Sequence, residues 1–282
     1  MLVNLKEILS TAETTNSAVG SFNIYNLESI LAVKEAIDET KMPAIISFGE
    51  GYMQHAPIEA IASIVQTLFL TSDTPVVLHL DHCKNYTSIA KAIKVGFTSV
   101  MYDGSRLPLV ENIANTKKVI ELAHALNVSV EGELGYLNEE DGTGEINSTC
   151  TSVEDGIAYT TQTNVDALAI AIGNAHGLYK STPKLNFDQL AKLHENVQCP
   201  LVLHGSSGIP LTDLQKSITL GIRKFNINTE ISTTGVATIR NYLNTHTYEE
   251  NANLRLETIL KEARSSMSKK IVEFIKVFNN NL

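Results

Sequence analysis

The sequence predicts an α/β protein with the architecture of a (β/α)8, or TIM, barrel, because short apolar β-prone runs alternate with longer helical patterns throughout. Eight strand candidates can be counted, the number such a barrel needs. The length of 282 residues also suits a fold of roughly 250 residues. No linker or composition shift divides the chain. We therefore expect residues 1–282 to form one domain, with a helical extension after about residue 229.

Each predicted strand is a short run rich in apolar and β-branched residues. In chain order, strands are expected at Ala18–Ile24, Ala44–Phe48, Val76–Leu80, Ser99–Tyr102, Ser129–Leu134, Ala167–Ile172, Leu201–His204 and Lys224–Ile227. The segments between them carry apolar residues at helical spacing. Helices are expected at Leu27–Thr40, Ile58–Leu70, Tyr86–Val95, Leu109–Leu126, Val153–Thr161, Phe187–Glu195 and Leu211–Leu220.

Proline and glycine mark several of these helix ends. Pro57, Pro108 and Pro210 stand near predicted helix starts, where the missing N–H and the fixed backbone angle are tolerated. Gly96 and Gly221 stand where helices should stop. The positions of these prolines and glycines therefore agree with the helix ends that the apolar periodicity predicts.

Composition excludes several classes of protein. Hydrophobic residues make up 43% and charged residues 19%, and no apolar run approaches the roughly 18 residues of a membrane span. The formal charge of -9 would repel nucleic acid. Cys83, Cys150 and Cys199 form no CxxC motif, and Met1–Thr15 is a charged helical pattern, unlike a signal peptide. We expect a cytoplasmic protein with no membrane partner and no nucleic-acid partner.

Polar side chains cluster at the carboxyl ends of the predicted strands, where the reactive groups of such barrels gather. They are Asp81, His82, Asp103, Glu131, Glu133, Asn174, His176, His204, Asn226 and Asn228. Three histidines from three strands, His82, His176 and His204, would form an open tripod that suits a catalytic zinc. The alternative is that each is an ordinary core or loop histidine. His79 lies deeper, so we expect it to pack or hydrogen-bond.

Two further features at this end concern ligand binding. Small and hydroxyl residues recur in the last three strand-to-helix loops, where barrels commonly bind phosphate, although such runs are also ordinary turns. The polar segment Tyr136–Ser152 is too long for an ordinary loop. It is either a lid over the site or a surface insertion.

Six motifs in a fixed order carry a family resemblance. They are His79-Leu80-Asp81-His82-Cys83, Met101-Tyr102-Asp103-Gly104-Ser105, Glu131-Gly132-Glu133-Leu134-Gly135, Ala171-Ile172-Gly173-Asn174-Ala175-His176-Gly177, Leu203-His204-Gly205-Ser206-Ser207-Gly208 and Lys224-Phe225-Asn226-Ile227-Asn228-Thr229-Glu230. From about Val19 onward, the chain resembles the class II, zinc-dependent ketose-bisphosphate aldolases. These enzymes cleave fructose 1,6-bisphosphate or tagatose 1,6-bisphosphate.

The resemblance implies a role for each site residue. His82, His176 and His204 would bind the zinc, and Asp81 would be the acid/base at the substrate C4 hydroxyl. Asp103 would join Glu133 in holding a second divalent metal or the displaced zinc. The predicted substrate-contacting residues are Gly177, Lys180, Gly205, Ser206, Ser207, Asn226, Ile227, Asn228, Thr229 and Arg255.

Finer roles follow from the same resemblance. Asn226 would lie near the enediolate, with a monovalent cation, Na⁺ or K⁺, close by. Arg255 would reach the far phosphate, from its own or a neighbouring subunit. In the lid, Glu140 would move the proton at C3, with Leu137-Asn138 replacing the Gly-Gly often found before this acidic motif. After the second strand, Phe48-Gly49-Glu50-Gly51 replaces a phosphate-binding serine.

The expected activity is reversible cleavage of a ketose 1,6-bisphosphate, with fructose 1,6-bisphosphate first, to dihydroxyacetone phosphate and glyceraldehyde 3-phosphate. The enzyme would act in glycolysis or other carbohydrate metabolism as a homodimer or homotetramer. Tagatose-bisphosphate and 6-phospho-5-dehydro-2-deoxygluconate cleavage are alternatives. A metal-dependent hydrolase, a non-catalytic sugar-phosphate binding protein and a lysine Schiff-base aldolase using Lys180 or Lys224 also stay open.

Overall fold

A computed structural model describes residues 1–135, 150–177, 179, 181–246 and 255–279. The strands are β1 (Val19–Asn23), β2 (Ala44–Gly49), β3 (Val76–Cys83), β4 (Ser99–Tyr102), β5 (Ser129–Leu134), β6 (Ala167–Ile170), β7 (Leu201–Leu203) and β8 (Ile222–Ile227). All pair in parallel and in chain order, and β8 closes onto β1 to complete a barrel. The predicted (β/α)8 fold is confirmed.

Helices surround this barrel, and a 3-10 helix covers Glu50–Gln54. The α-helices are α1 (Leu5–Thr14), α2 (Leu27–Thr40), α3 (Ile58–Phe69), α4 (Tyr86–Lys94), α5 (Leu109–His124), α6 (Val153–Thr163), α7 (Phe187–Asn196), α8 (Leu211–Thr219), α9 (Thr229–Thr245) and α10 (Leu256–Phe278). The predicted bounds of α2 are those observed, and β3 continues to Cys83, beyond its predicted end at Leu80. The helical region after β8 comprises α9 and α10.

Local sequence explains where several helices begin and end. The Asn26 side chain accepts from the Ser29 N–H at the start of α2, and the Ser29 hydroxyl lies against the Asn26 backbone in return. Pro108 precedes α5 directly. After α4 and α8, Gly96 and Gly221 adopt positive φ angles of 97° and 100°, a conformation that glycine reaches without a steric penalty.

Helix α1 closes the amino-terminal end of the barrel. Its apolar side chains Leu5, Ile8 and Leu9 are fully or almost fully buried, and they pack in one cluster with the inward-facing Val77 and Val202. Burial of this face removes apolar surface from water at roughly 25 cal/mol per Å². The barrel therefore has an apolar, closed lower end and keeps its polar groups for the other end.

Among the helices in the described part of the chain, none is long and apolar enough to cross a membrane.

Candidate active site

A cavity of about 430 Å³ opens at the carboxyl-terminal end of the barrel. Its wall is formed by residues that end each of the eight strands or follow them. The lining residues are Asn23, Gly49, Glu50, Gly51, Tyr52, Asp81, His82, Lys84, Asp103, Ser105, Arg106, Glu133, His176, Gly177, His204, Gly205, Ser207, Asn226, Asn228 and Thr229. The cavity thus contains the predicted histidines, Asp81 and most of the predicted phosphate-contacting residues.

The three predicted histidines converge in this cavity. One ring nitrogen from each of His82, His176 and His204 lies within 4.8 Å of the other two. His82 Nε2 is 2.8 Å from His204 Nδ1, and the ring centroids of His82 and His176 are 4.9 Å apart. Three imidazole nitrogens that meet at one point and leave one side open are the donor set of a catalytic zinc.

An irregularity in β3 aims His82 at this point. The pairing of β3 with β4 shifts register between Leu80 and Cys83, and His82 has a positive φ of 47°. A non-glycine residue is strained in this region, and such strain persists only where the surroundings hold it. The His82 N–H lies 3.4 Å from the Met101 sulfur, within β4. The distortion turns the imidazole from the barrel wall into the cavity.

Two carboxylates flank the same histidine. His82 Nδ1 lies 3.4 Å from Asp103 Oδ2 and 3.5 Å from Glu133 Oε2. The three residues form a second group whose potential ligand atoms lie within 4.8 Å of one another. Ser105 fixes Asp103 by donating from its hydroxyl at 2.6 Å. Asp103 and Glu133 therefore lie beside the histidine tripod.

His176 is held in its neutral form. Burial, together with the neighbouring His82 and His204, lowers the pKa of His176 to about 3. A neutral imidazole has a free nitrogen lone pair at physiological pH, which a metal ligand requires.

His204 is oriented from below by a carboxylate that sequence analysis placed at the rim. Glu131 Oε1 lies 2.8 Å from His204 Nε2, and both side chains are fully buried. Because a carboxylate accepts the Nε2 hydrogen, Nδ1 presents its lone pair to the tripod. Glu131 thus lies inside the barrel, beneath the cavity.

Asp81 is fixed through both of its carboxylate oxygens. Oδ2 accepts from Asn23 Nδ2 at 2.9 Å, and Oδ1 accepts from Asn226 Nδ2 at 3.1 Å. Burial opposes ionisation, but the nearby His82 and His204 outweigh it and hold the pKa of Asp81 far below its ordinary value. Asp81 is therefore ionised and held in one orientation beside the tripod.

The glycine-rich loops after β6 and β7 touch each other. Gly205 has a φ of 61°, and a Cβ atom there would collide with the Ala175 carbonyl oxygen. The Tyr179 hydroxyl bonds to the Ala175 N–H at 2.8 Å and to the Gly205 carbonyl at 2.8 Å, which ties the two loops together. Close backbone packing therefore requires glycine at position 205.

The loop after β8 completes this side of the cavity. Thr229 is the first residue of α9, and Asn228 precedes it and donates to the Tyr52 hydroxyl at 2.9 Å. The Ser207 hydroxyl accepts from the Glu230 N–H at 3.2 Å. A helix start beside small polar residues is a common setting for phosphate.

Some predicted residues lie outside the cavity lining. Ser206 is buried, its hydroxyl donates to the Leu203 carbonyl and its N–H donates to the Asn226 carbonyl, so it braces the loop. Ile227 is fully buried in the cluster between strands and helices. Arg255 is exposed at the start of α10 and does not line the cavity. Glu140 and Lys180 lie outside the described residues.

Several residues that line the cavity were not predicted from the sequence. Asn23 ends β1, Tyr52 belongs to the 3-10 helix, and Lys84 and Arg106 follow β3 and β4. Glu50 accepts from the Lys84 N–H at 3.0 Å. A listing of every charged side chain after each predicted strand would have found Lys84 and Arg106, whereas Asn23 falls within the first predicted strand, Ala18–Ile24. Tyr52 had no such signal, since the 3-10 helix has no apolar periodicity.

Comparison with known proteins identifies the family. Residues 3–281 match the family model of class II fructose-bisphosphate aldolase. The YdjI aldolase from Escherichia coli K12 is 32% identical and superposes with a TM-score of 0.86, with 99% of this chain and 97% of that chain covered.

Two other solved structures share the fold. A Coccidioides immitis protein, provisionally assigned as a fructose-1,6-bisphosphate aldolase, is 26% identical with a TM-score of 0.87 and coverage of 99% and 96%. The fructose-bisphosphate aldolase of Campylobacter jejuni is 23% identical with a TM-score of 0.82 and coverage of 100% and 96%. The family match and the first of these structures lead to one assignment: the chain belongs to the class II fructose-bisphosphate aldolase family and is an aldolase, a carbon–carbon lyase.

Proposed function

We propose that this aldolase is zinc-dependent and reversibly cleaves a ketose 1,6-bisphosphate, with fructose 1,6-bisphosphate as the first candidate, to dihydroxyacetone phosphate and glyceraldehyde 3-phosphate. The observation that carries the proposal is the convergence of three imidazole nitrogens within 4.8 Å, next to an ionised and fully hydrogen-bonded Asp81. Cleavage must remove the C4 hydroxyl proton while negative charge develops on the ketone oxygen.

The metal site fits zinc. His82, His176 and His204 supply three nitrogen ligands, and the pKa of His176 is low enough to keep it neutral. Zinc bound there would act as a Lewis acid that stabilises the negative charge on the ketone oxygen. Asp103 and Glu133 beside His82 are the proposed site of a second divalent metal or of a displaced zinc.

Asp81 is the proposed proton acceptor at the C4 hydroxyl. Its carboxylate is ionised at neutral pH, and the amides of Asn23 and Asn226 fix its orientation. In the condensation direction the same carboxyl group returns the proton to the new hydroxyl. Asn226 lies 3.4 Å from His204 Nδ1, which supports its proposed place near the enediolate, with Na⁺ or K⁺ nearby.

The phosphate of the dihydroxyacetone half is proposed to bind the loops after β6, β7 and β8. Gly177, Gly205 and Ser207 line this side of the cavity, as do Asn228 and Thr229. Lys180 is proposed to join them. The far phosphate would then face the opposite wall, where Lys84 and Arg106 offer positive charge.

A panel of substrates tests the activity most directly. Fructose, tagatose and sorbose bisphosphates and 6-phospho-5-dehydro-2-deoxygluconate should be incubated with the zinc enzyme, and the triose phosphates released should be quantified. We expect cleavage of fructose 1,6-bisphosphate at the highest kcat/KM. Release of inorganic phosphate without triose products would favour a hydrolase, and binding without turnover would favour a sugar-phosphate binding protein.

The proposed role of the lid residue Glu140 can be tested separately from zinc binding. If Glu140 moves the C3 proton, Glu140→Ala should slow exchange of the dihydroxyacetone-phosphate proton with solvent by roughly two to four orders of magnitude, the usual contribution of a positioned acid/base. Zinc content and ligand affinity should stay near those of the parent protein. Glu139 and Asp141 are the alternative candidates for this role, so each is also replaced singly by alanine. Unchanged exchange in all three variants would exclude a lid base.

We also propose a cytoplasmic location and a homodimeric or homotetrameric state. All three cysteines are free, which suits a reducing compartment. On α9, Val236 and Leu243 expose 55% and 47% of their surface, which favours a contact between subunits. Arg255 would then reach the cavity of a neighbouring subunit. Sedimentation analysis of the wild-type protein and of Val236→Lys tests this assembly.

A further inference from the structure

A fully buried lysine connects the metal-binding side of the cavity with the proton acceptor. Lys224, in β8, has its Nζ atom 2.9 Å from Glu131 Oε2 and 3.1 Å from Glu131 Oε1. It also donates to Asn226 Oδ1 at 2.6 Å. Since β5 and β8 are not neighbours in the barrel, the contact with Glu131 crosses the barrel interior.

The first branch of this network leads to the metal ligand His204. Lys224 holds the Glu131 carboxylate, and Glu131 Oε1 accepts from His204 Nε2 at 2.8 Å. That hydrogen bond fixes both the ring orientation and the tautomer of His204. A shift of Glu131 would therefore turn the His204 Nδ1 lone pair away from the tripod.

The second branch leads to Asp81. An asparagine amide can point either way, but a lysine side chain has only donors, so the atom that faces Lys224 must be the Asn226 oxygen. The Asn226 Nδ2 then faces Asp81 Oδ1, to which it donates at 3.1 Å. Lys224 thus decides which end of the Asn226 amide reaches the proton acceptor.

Stability alone is a poor explanation for this arrangement. Removing a lysine and a glutamate from water is unfavourable for each ion, and apolar replacements of buried ion pairs are often neutral or stabilising. Both side chains are 0% exposed. Among the hydrogen bonds of the described residues, every polar atom that Lys224 contacts belongs to Glu131 or Asn226.

We propose that Lys224 is a positioning residue that sets the metal ligand His204, through Glu131, and the proton acceptor Asp81, through Asn226, in one geometry. The kinetic part of the proposal rests on the proposed cleavage activity, and the metal part rests only on the proposed zinc site. It also accounts for a buried lysine without Schiff-base chemistry, because the Lys224 amine is enclosed and committed to Glu131 and Asn226.

The test compares Lys224→Met with Arg223→Met. Arg223 is the neighbouring buried cation in β8, but it pairs with Glu13 at 2.8 Å, away from the cavity. Lys224→Met should lower kcat by roughly 10- to 100-fold and zinc affinity by roughly tenfold, the range for residues that orient metal ligands. KM should change much less. The visible spectrum of the Co²⁺-substituted protein should shift. Arg223→Met should lower only the melting temperature.

A double variant guards against misfolding. Lys224→Met leaves Glu131 as an unpaired buried carboxylate, which can prevent folding. Lys224→Met/Glu131→Gln removes that charge, and the glutamine oxygen can still accept from His204. We expect this variant to fold and to keep the low kcat, because Asn226 is still unanchored. Wild-type kcat and an unshifted cobalt spectrum in the double variant would overturn the proposal.

The metal measurements need no substrate. Zinc affinity, from competition with a chromogenic chelator, and the cobalt spectrum report on His204 whether or not the enzyme cleaves a bisphosphate. If wild-type protein cleaves none of the sugars in the panel, the proposed function fails while these two readouts still decide the role of Lys224. Unchanged zinc affinity and an unchanged spectrum in Lys224→Met would contradict that role.

Discussion

The two ends of the barrel differ in chemistry although the same eight strands form both: the amino-terminal end is apolar and closed, and the carboxyl-terminal end is a polar cavity. At the amino-terminal end, Leu9 of α1 packs on inward-facing apolar residues such as Val77. Two residues after Val77, on the same face of β3, lies the buried His79, and Asp81 follows after two more residues. A single strand therefore passes from an apolar core to the active site within a few residues. Stabilising contacts concentrate below, and groups that are costly to bury concentrate above.

Between the two ends lies a layer of buried polar side chains, His79, Ser21 and Ser47, whose burial is unfavourable for stability. His79 Nδ1 lies 2.8 Å from the Ser99 hydroxyl, but His79 Nε2 has no hydrogen-bond partner among the described residues. The buried hydroxyls of Ser21 and Ser47 likewise lack a partner within the described part of the chain. Unpaired buried polar atoms are unfavourable, so the stability must come from elsewhere in the molecule. The lower cluster around α1 is one such source.

The largest expected effect comes from the upper end. His82→Ala should lose both zinc and cleavage, because it removes one of the three proposed zinc ligands. Asp81→Ala should keep its zinc and lose cleavage by roughly two to four orders of magnitude, the contribution of a positioned acid/base. Metal analysis of purified protein and initial rates separate the two outcomes. Normal cleavage by Asp81→Ala would refute its assigned role.

The lower end should respond in the opposite way. Leu9 is 0% exposed, so Leu9→Ala should reduce the free energy of unfolding by about 2–5 kcal/mol through lost burial and a cavity. Well below the melting temperature, its kcat and KM should match those of the parent enzyme. Denaturant unfolding and steady-state kinetics check both. Ser10→Ala, at an exposed position of the same helix, is the control. A changed KM in Leu9→Ala would show that the two ends are coupled.

The smallest effect is expected at the start of α1. The Asn4 side chain accepts from the Glu7 N–H at 3.0 Å and caps the helix. Asn4→Ala should cost about 1 kcal/mol of stability, and Asn4→Asp should retain most of it, since aspartate caps equally well. Chemical denaturation measures the difference. Equal stability of the two variants would mean that the cap does not help to hold α1 in place.

The sequence was sufficient for the order of the elements and for the direction in which side chains point. Alternation with a period of two indicates that Glu131 and Glu133 share one face of β5, and it predicted both at the rim. It does not give depth, because depth depends on the stagger of strands around the barrel. Glu133 does line the cavity, whereas Glu131 lies beneath it and pairs with Lys224 across the interior.

The backbone irregularities in β3 could not be predicted from the sequence either. The tripod was predicted from three histidines at strand ends, but the prediction ended the third strand at Leu80. It gave no hint that His82 takes a positive φ or that β3 changes register there. Such strain is set by tertiary contacts and leaves no local pattern in the residues. The Asn23 contact with Asp81 was missed for a similar reason, since it joins strands far apart in sequence.

We propose that cleavage depends on a metal held by His82, His176 and His204. The most direct measurement is the rate of fructose 1,6-bisphosphate cleavage by chelator-treated protein, before and after zinc is returned, with a parallel borohydride reaction in the presence of substrate. We predict no cleavage without metal, recovery with zinc and no trapped adduct. Full activity in the metal-free protein, together with a substrate adduct on a lysine, would contradict the account.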